Sequence, residues 1–299
     1  MTDPATSEPD HVRQSHPPSN PLPPQACDCH THIIDTGGKY PFRRQTGQAL
    51  PNVPFERHEN MLRTVGFERA VLVQLIAYGE DNSLLVDSLE LGGGRLRGIA
   101  ALRATVTDAE LERLHAAGVR GLRFYEKPGP HGVQYRGGAD MNDLAALAPR
   151  MRELNWCAEI AGPSHRLVEW APLLQSLRIP VVLEHMAGCQ GADGTQNPAF
   201  KTIVALHETG WFWTKLTVCR MSRAYPDFVD MRPLQECLAT IAPSRLLWGS
   251  DWPHGLMGSN SPDVGHLLDL FDEWIDGDAV LRHQILSQNP ASLFDFPSA

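Results

Sequence analysis

Several things are scarce or missing in this chain, and each absence excludes something. A membrane-spanning helix needs about 18 consecutive apolar residues, and no stretch of the 299 residues approaches that. No basic run occurs and the net charge is −9 with histidine neutral, a poor balance for gripping a nucleic-acid backbone. The N-terminus is rich in Pro and Ser and lacks the apolar segment of a secretory signal. No Cys-x-x-Cys pair exists among the six cysteines at 27, 29, 157, 189, 219 and 237. Cys27 and Cys29 flank Asp28 too tightly for an easy bridge, so reduced thiols and a cytoplasmic setting are expected. No Gly-x-Gly-x-x-Gly loop follows a first strand, and no Gly-x-Ser-x-Gly elbow surrounds Ser250, which argues against a dinucleotide fold and a serine hydrolase. Lysine is scarce too: only four of the 26 basic residues are Lys. Arginine suits planar, bidentate carboxylate recognition, although codon usage accounts for such a ratio as well.

What is present is a leader and a repeating body. Residues 1–25 hold seven of the 24 prolines without apolar periodicity, as expected of a disordered leader or one laid along the surface. From Ala26 to Ala299 a single domain is expected. Eight short apolar runs fall at 26–34, 70–76, 96–102, 119–124, 156–160, 181–184, 211–216 and 246–249. Segments with helical spacing lie between most of them, near 56–65, 82–91, 108–117, 140–153, 164–176, 197–208, 228–241 and 263–275. Asp108 is the expected cap of the third helix and Gly118 its stop. Eight strand–helix units without a long antiparallel run predict an α/β fold of the (β/α)8 TIM-barrel type, with an open doubly wound sheet as the alternative.

In such a barrel the chemistry sits where strands end. The first strand ends in Asp28-Cys29-His30-Thr31-His32, and strand alternation points His30 and His32 the same way. The sixth ends in Glu184-His185 and the eighth in Trp248-Gly249-Ser250-Asp251-Trp252-Pro253-His254. A lone strand-end histidine is commonly a structural hydrogen-bonder. Three such features at ends that a barrel brings together point to a site.

These residues resemble the amidohydrolase superfamily, in its "amidohydrolase 2" branch, and within it the lactonases of the 2-pyrone-4,6-dicarboxylate type. The likeness runs from about Cys27 to Pro290 and includes 66–74, 79–82, 118–124, 182–186 and 247–254. The resemblance implies hydrolysis of a carboxylated lactone, in the breakdown of aromatic compounds. It implies that Asp251 activates water, that His30, His32 and His185 surround the substrate carbonyl, and that Arg123 and His254 contact the substrate. A carboxylate-gripping arginine after the seventh strand matches Arg220, with Arg223 close behind. The chain departs from the pattern after Arg123, where Lys127, Tyr135 and Arg136 have no clean counterpart, and on the fifth strand, where Glu159 stands near the lactonase tyrosine. Tyr78 and Lys127 complete the expected substrate-binding set.

Many superfamily members hold a divalent ion. Here Arg123 replaces the fourth-strand lysine and no histidine ends the fifth strand, so no cofactor is expected. Should a metal be bound, His30, His32, His185 and Asp251 are its expected ligands, for Zn or Mn. The expected partner is a small anionic lactone or dicarboxylate, with no nucleic acid and no membrane, in a monomer or small homo-oligomer. The alternatives are a metal-dependent decarboxylase of the same branch, a sugar-lactone hydrolase or isomerase, and a non-catalytic carboxylate-binding barrel. Among other histidines, His207 is expected to be exposed and His131 to lie in the Gly/Pro-rich loop at 128–138.

Overall fold

The eight apolar runs are strands: β1 (Cys27–Thr31), β2 (Arg69–Val73), β3 (Leu96–Ala100), β4 (Val119–Tyr125), β5 (Cys157–Ala161), β6 (Val181–Leu183), β7 (Phe212–Leu216) and β8 (Leu246–Trp248). They come from a computed structural model that describes residues 12–43, 50–125, 139–255 and 257–297. Each strand pairs in parallel with the next, in the order β1 to β8. Parallel strands covered on both faces read as unbroken apolar runs, which is why these runs were legible. Between them lie α1 (Phe55–Val65), α2 (Ser83–Leu91), α3 (Asp108–Ala116), α4 (Met141–Glu153), α5 (Ser164–Ser176), α6 (Pro198–His207), α7 (Arg232–Ile241) and α8 (Val264–Glu273). The architecture is the expected (β/α)8 barrel.

Local chemistry sets the helix starts. Asp140 and Asp143 form a reciprocal capping box at α4, and Asn197 and Asp263 accept from the first turns of α6 and α8. At α3 the cap is Thr107, whose hydroxyl accepts from the Glu110 N–H, and not Asp108, which lies inside the first turn. Gly118 follows at φ +105° and turns the chain into β4.

Beyond α8 the chain adds two short helices, α9 (Ala279–His283) and α10 (Asn289–Phe294), that the apolar pattern did not announce. Leu293, Phe294 and Phe296 pack with Cys27, Val71, Ile99, Cys157, Val182 and Trp213, closing the barrel at its N-terminal end. Arg69 and Arg97 lie over the Phe296 ring. Residues 12–25 lie against the body. Ser19 bonds Asp269, Arg282 bonds the carbonyls of Asn20 and Pro21, and Ser287 bonds that of Pro24. All six cysteines are free. Among the described residues no helix is long and apolar enough to cross a membrane.

The seam between β8 and β1 matters most for the site. β8 is only three residues long, and closure falls to the residues after it. The Asp251 N–H donates to the His30 carbonyl and the His32 N–H to the Trp252 carbonyl, each at 2.9 Å. The Asp28 carboxylate clasps both sides, accepting from the His30 N–H at 3.1 Å and the Ser250 N–H at 3.0 Å. Burial pushes Asp28 up to about 7, against the opposing pull of those bonds and of Lys215. Gly249 permits the approach: a Cβ there would lie 2.7 Å from the His30 Cβ.

Candidate active site

The seam delivers Asp251 to the two imidazoles. Its Oδ1 lies 3.3 Å from His32 Nε2 and 3.5 Å from His30 Nε2, with all three side chains buried. Asp251 sits at φ +64°, a conformation that costs about 1–3 kcal/mol and persists only where surrounding bonds fix it. The His32 Nδ1–H donates to the Val73 carbonyl at 2.8 Å, which fixes the ring with its Nε2 toward Asp251. The His185 ring centroid is 4.8 Å from that of His30, in a single left-handed turn over 185–187 that follows β6. Thr31, between the two histidines, turns away and meets His58 at 2.9 Å.

Three buried carboxylates at this end each have a cation of their own. Glu184 meets Arg123 in a two-pronged pair, Nε to Oε1 at 2.5 Å and Nη2 to Oε2 at 2.6 Å. Glu159 pairs with Lys215, and Asp251 Oδ2 with Arg220 Nε. Strand alternation explains the layer. Inward-facing Gly121, Cys157 and Trp213 are followed two residues later by Arg123, Glu159 and Lys215, with Arg123 and Glu159 directly opposite in register. Burial works to raise the Asp251 pKa, but Arg220, the His32 bond, His185 and His30 together hold it well below the usual carboxylate range. Burial, then the Lys215 charge, holds His30 well below the usual imidazole range, so its ring is neutral. Burial also lowers His254 to about 4.

The expected site residues therefore divide. His30, His32, His185, Asp251, Arg123 and Arg220 converge. Arg123 does so as the partner of Glu184 and of the Gln74 carbonyl, which leaves few of its N–H groups for a ligand. His254 is buried beside them and donates from Nε2 to the Ser250 carbonyl. Tyr78 is buried with its hydroxyl committed to the Asp35 backbone, where it braces the chain after β1. Arg223 is exposed, and its backbone N–H bonds the Asp230 carboxylate. Lys127, His131, Tyr135 and Arg136 lie outside the described residues. His207, expected on the surface, is 8% exposed and bonds Thr214 at 3.0 Å, because its helix face packs onto β7. Glu159 turns inward as a metal ligand would, but onto Lys215. Lys215 and Glu184 were not singled out from the sequence, although a charged residue inside an all-buried strand must find a partner.

Two sets of donors lie close enough for one ion: His30, His32 and Asp251, and His30, Glu184 and His185, each within 4.8 Å. By proximity these residues could hold a divalent metal. Their bonding fits one poorly. Every carboxylate in the two sets is already matched by an arginine, so a dication would enter an electroneutral cluster as excess charge.

Residues 27–296 match a family described as amidohydrolase. A 4-sulfomuconolactone hydrolase of Rhizobium radiobacter is 34% identical over 284 residues, 94% of this chain and 93% of that protein. A 2-pyrone-4,6-dicarboxylate hydrolase of Comamonas testosteroni is 30% identical over 293 residues, 93% of each chain. A crystal structure of a probable 2-pyrone-4,6-dicarboxylic acid hydrolase from Acinetobacter baumannii, with citric acid bound, superimposes with a TM-score of 0.78 at 25% identity, covering 91% of this chain and 100% of that one.

Proposed function

This chain belongs to the amidohydrolase family, and we propose that it opens the ring of a small lactone bearing a carboxylate, of the 2-pyrone-4,6-dicarboxylate kind, by water that Asp251 activates without a metal. The carrying observation is the placement of Asp251. It is a buried carboxylate facing two imidazole Nε2 atoms at the C-terminal end of the barrel, where this fold places its chemistry.

The steps follow from the residues. Water attacks the lactone carbonyl while Asp251 takes its proton. The oxyanion that forms is met by N–H groups of the histidine cluster, foremost His30 Nε2. Collapse breaks the bond to the ring oxygen, and Asp251 returns the proton to it. The product is an open-chain acid with a free hydroxyl or enol. Arg220 keeps its Nε on Asp251 and is 21% exposed, so its terminal nitrogens are the ones offered to an anionic substituent. Arg123 contributes only what Glu184 and Gln74 leave over.

A second reading is favoured by the 34% identity to a sulfomuconolactone hydrolase: the anionic group is a sulfonate. A guanidinium edge accepts either group. A panel comprising 2-pyrone-4,6-dicarboxylate, 4-sulfomuconolactone and an uncharged lactone, followed by loss of ring absorbance with carbon dioxide measured in parallel, tests both. Turnover of an anionic lactone without carbon dioxide is the expected result. Carbon dioxide release, or equal turnover of the uncharged lactone, would refute it.

A further inference from the structure

The Lys215–Glu159 pair is used by no step above, yet it touches the reacting cluster. Lys215 is wholly buried, and its Nζ has two partners among the described residues, the Glu159 Oε1 and the His30 Nδ1 at 3.2 Å. Glu159 Oε1 is itself 3.4 Å from His30 Nδ1, without hydrogen-bond geometry, and its Oε2 has no hydrogen-bond partner among the described residues. One imidazole nitrogen thus faces an ammonium donor first and a carboxylate second.

The other nitrogen discriminates between the two tautomers. An ammonium can only donate, so a ring bonded to Lys215 accepts at Nδ1, and the single proton of the neutral imidazole sits on Nε2. That N–H then faces Asp251 Oδ1 at 3.5 Å, an attractive arrangement. Were the proton on Nδ1 and shared with Glu159, the Nε2 lone pair would face a carboxylate oxygen across a buried gap, which is repulsive. Both ends of the ring therefore select the same tautomer.

We propose that Lys215 is a positioning residue for His30: by donating to Nδ1 it keeps the ring's N–H at Nε2, aimed at the reacting carbonyl, and withdraws the lone pair that His30 would otherwise offer a metal. Resting on the hydrolase reading above, this gives the Lys215–Glu159 pair, otherwise unused, the task of orienting His30. Lys215 reaches His30 across the barrel from β7, and Glu159 balances its charge, so the cluster stays neutral.

The test separates this role from the hydrolase reading because its first readout needs no substrate. Nitrogen NMR of histidine-labelled protein, with His30→Gln used to assign the signal, is expected to show His30 with a pyridine-type Nδ1 and a pyrrole-type Nε2. A pyrrole-type Nδ1 overturns the proposal. In Lys215→Met the proton is expected to move to Nδ1, and kcat to fall about 100-fold with KM nearly unchanged, the loss typical of one oxyanion donor. A folded Lys215→Met protein with the wild-type tautomer overturns the proposal. Lys215→Met/Glu159→Leu leaves no lone buried charge and folds where the single variant does not. It is expected to bind zinc, read by competition with a chelating dye, at least about tenfold more tightly than the wild type. Unchanged zinc affinity overturns the claim that Lys215 closes this nitrogen to metal.

Discussion

Replacing Asp251 by Asn separates its charge from its shape. Asn keeps an oxygen for the Arg220 Nε and fills the same volume, and Asn tolerates the φ of +64° found here better than most residues. The variant therefore loses the base and the ion pair and little else. Loss of a general base lowers kcat by about 100- to 10,000-fold. Removing one member of a fully buried ion pair costs about 3–5 kcal/mol, because the other charge is stranded. Arg220 is 21% exposed and retains a hydrogen bond to the amide, so about 2 kcal/mol is expected instead. In a chain of this size that lowers Tm by roughly 5 °C. Asp251→Ala deletes the same charge but adds about 1–2 kcal/mol for a left-handed backbone without a local hydrogen bond, so it should melt lower than Asn at equal loss of activity. Ring-absorbance kinetics and thermal melts of the two variants make the measurement. A folded Asp251→Asn protein with kcat within about tenfold of the wild type would refute the role given to Asp251.

Four further outcomes are expected. Arg220→Met should raise KM for an anionic lactone by about 10- to 100-fold, the loss of a charge-assisted bond, while leaving KM for an uncharged lactone unmoved; equal effects on both would contradict its role. Glu184→Gln strands the Arg123 charge, which is 5% exposed, and should cost about 3–5 kcal/mol in urea unfolding, whereas Arg123→Met/Glu184→Leu should recover most of it. Gly249→Ala places a Cβ against His30 and should cost about 1–3 kcal/mol and lower kcat, since β1 cannot move without moving the imidazole; unaltered kinetics would show that the seam does not set the site. Burial lowers His207 to about 4, below its free value of 6.5. Its contribution is thus complete above pH 6.5 and lost as pH falls toward 4, up to about 3 kcal/mol, so His207→Gln should show a shallower fall in Tm across that window.

What the sequence revealed and what it withheld have one physical cause. Period and punctuation are local, so the eight strands were readable to within a few residues, down to Gly118 before β4. His30, His32, His185 and Asp251 were also readable, because a barrel brings all its strand ends to one rim whatever the loops do. Pairing is not local. Glu159 and Lys215 lie 56 residues apart, two strands removed across the interior, and Glu184 meets Arg123 from 61 residues away. Before the fold was known Arg123 stood as a substrate contact, and Glu159 as a departure from the lactonase pattern on the fifth strand. Each is instead half of a neutral pair. Had every inward strand position been required to balance its charge, Arg123, Glu159, Glu184 and Lys215 would have been recognised as two pairs, since no buried strand keeps a bare ion. That requirement also decides where substrate charge can be received. With Arg123 and Lys215 bound to buried glutamates, Arg220, 21% exposed beside a nearly buried Asp251, is the one of these three cations most open to an anion. On the proposed reading, an anionic lactone held there would lie over the carboxylate that activates its water, so binding and chemistry would share one ion pair.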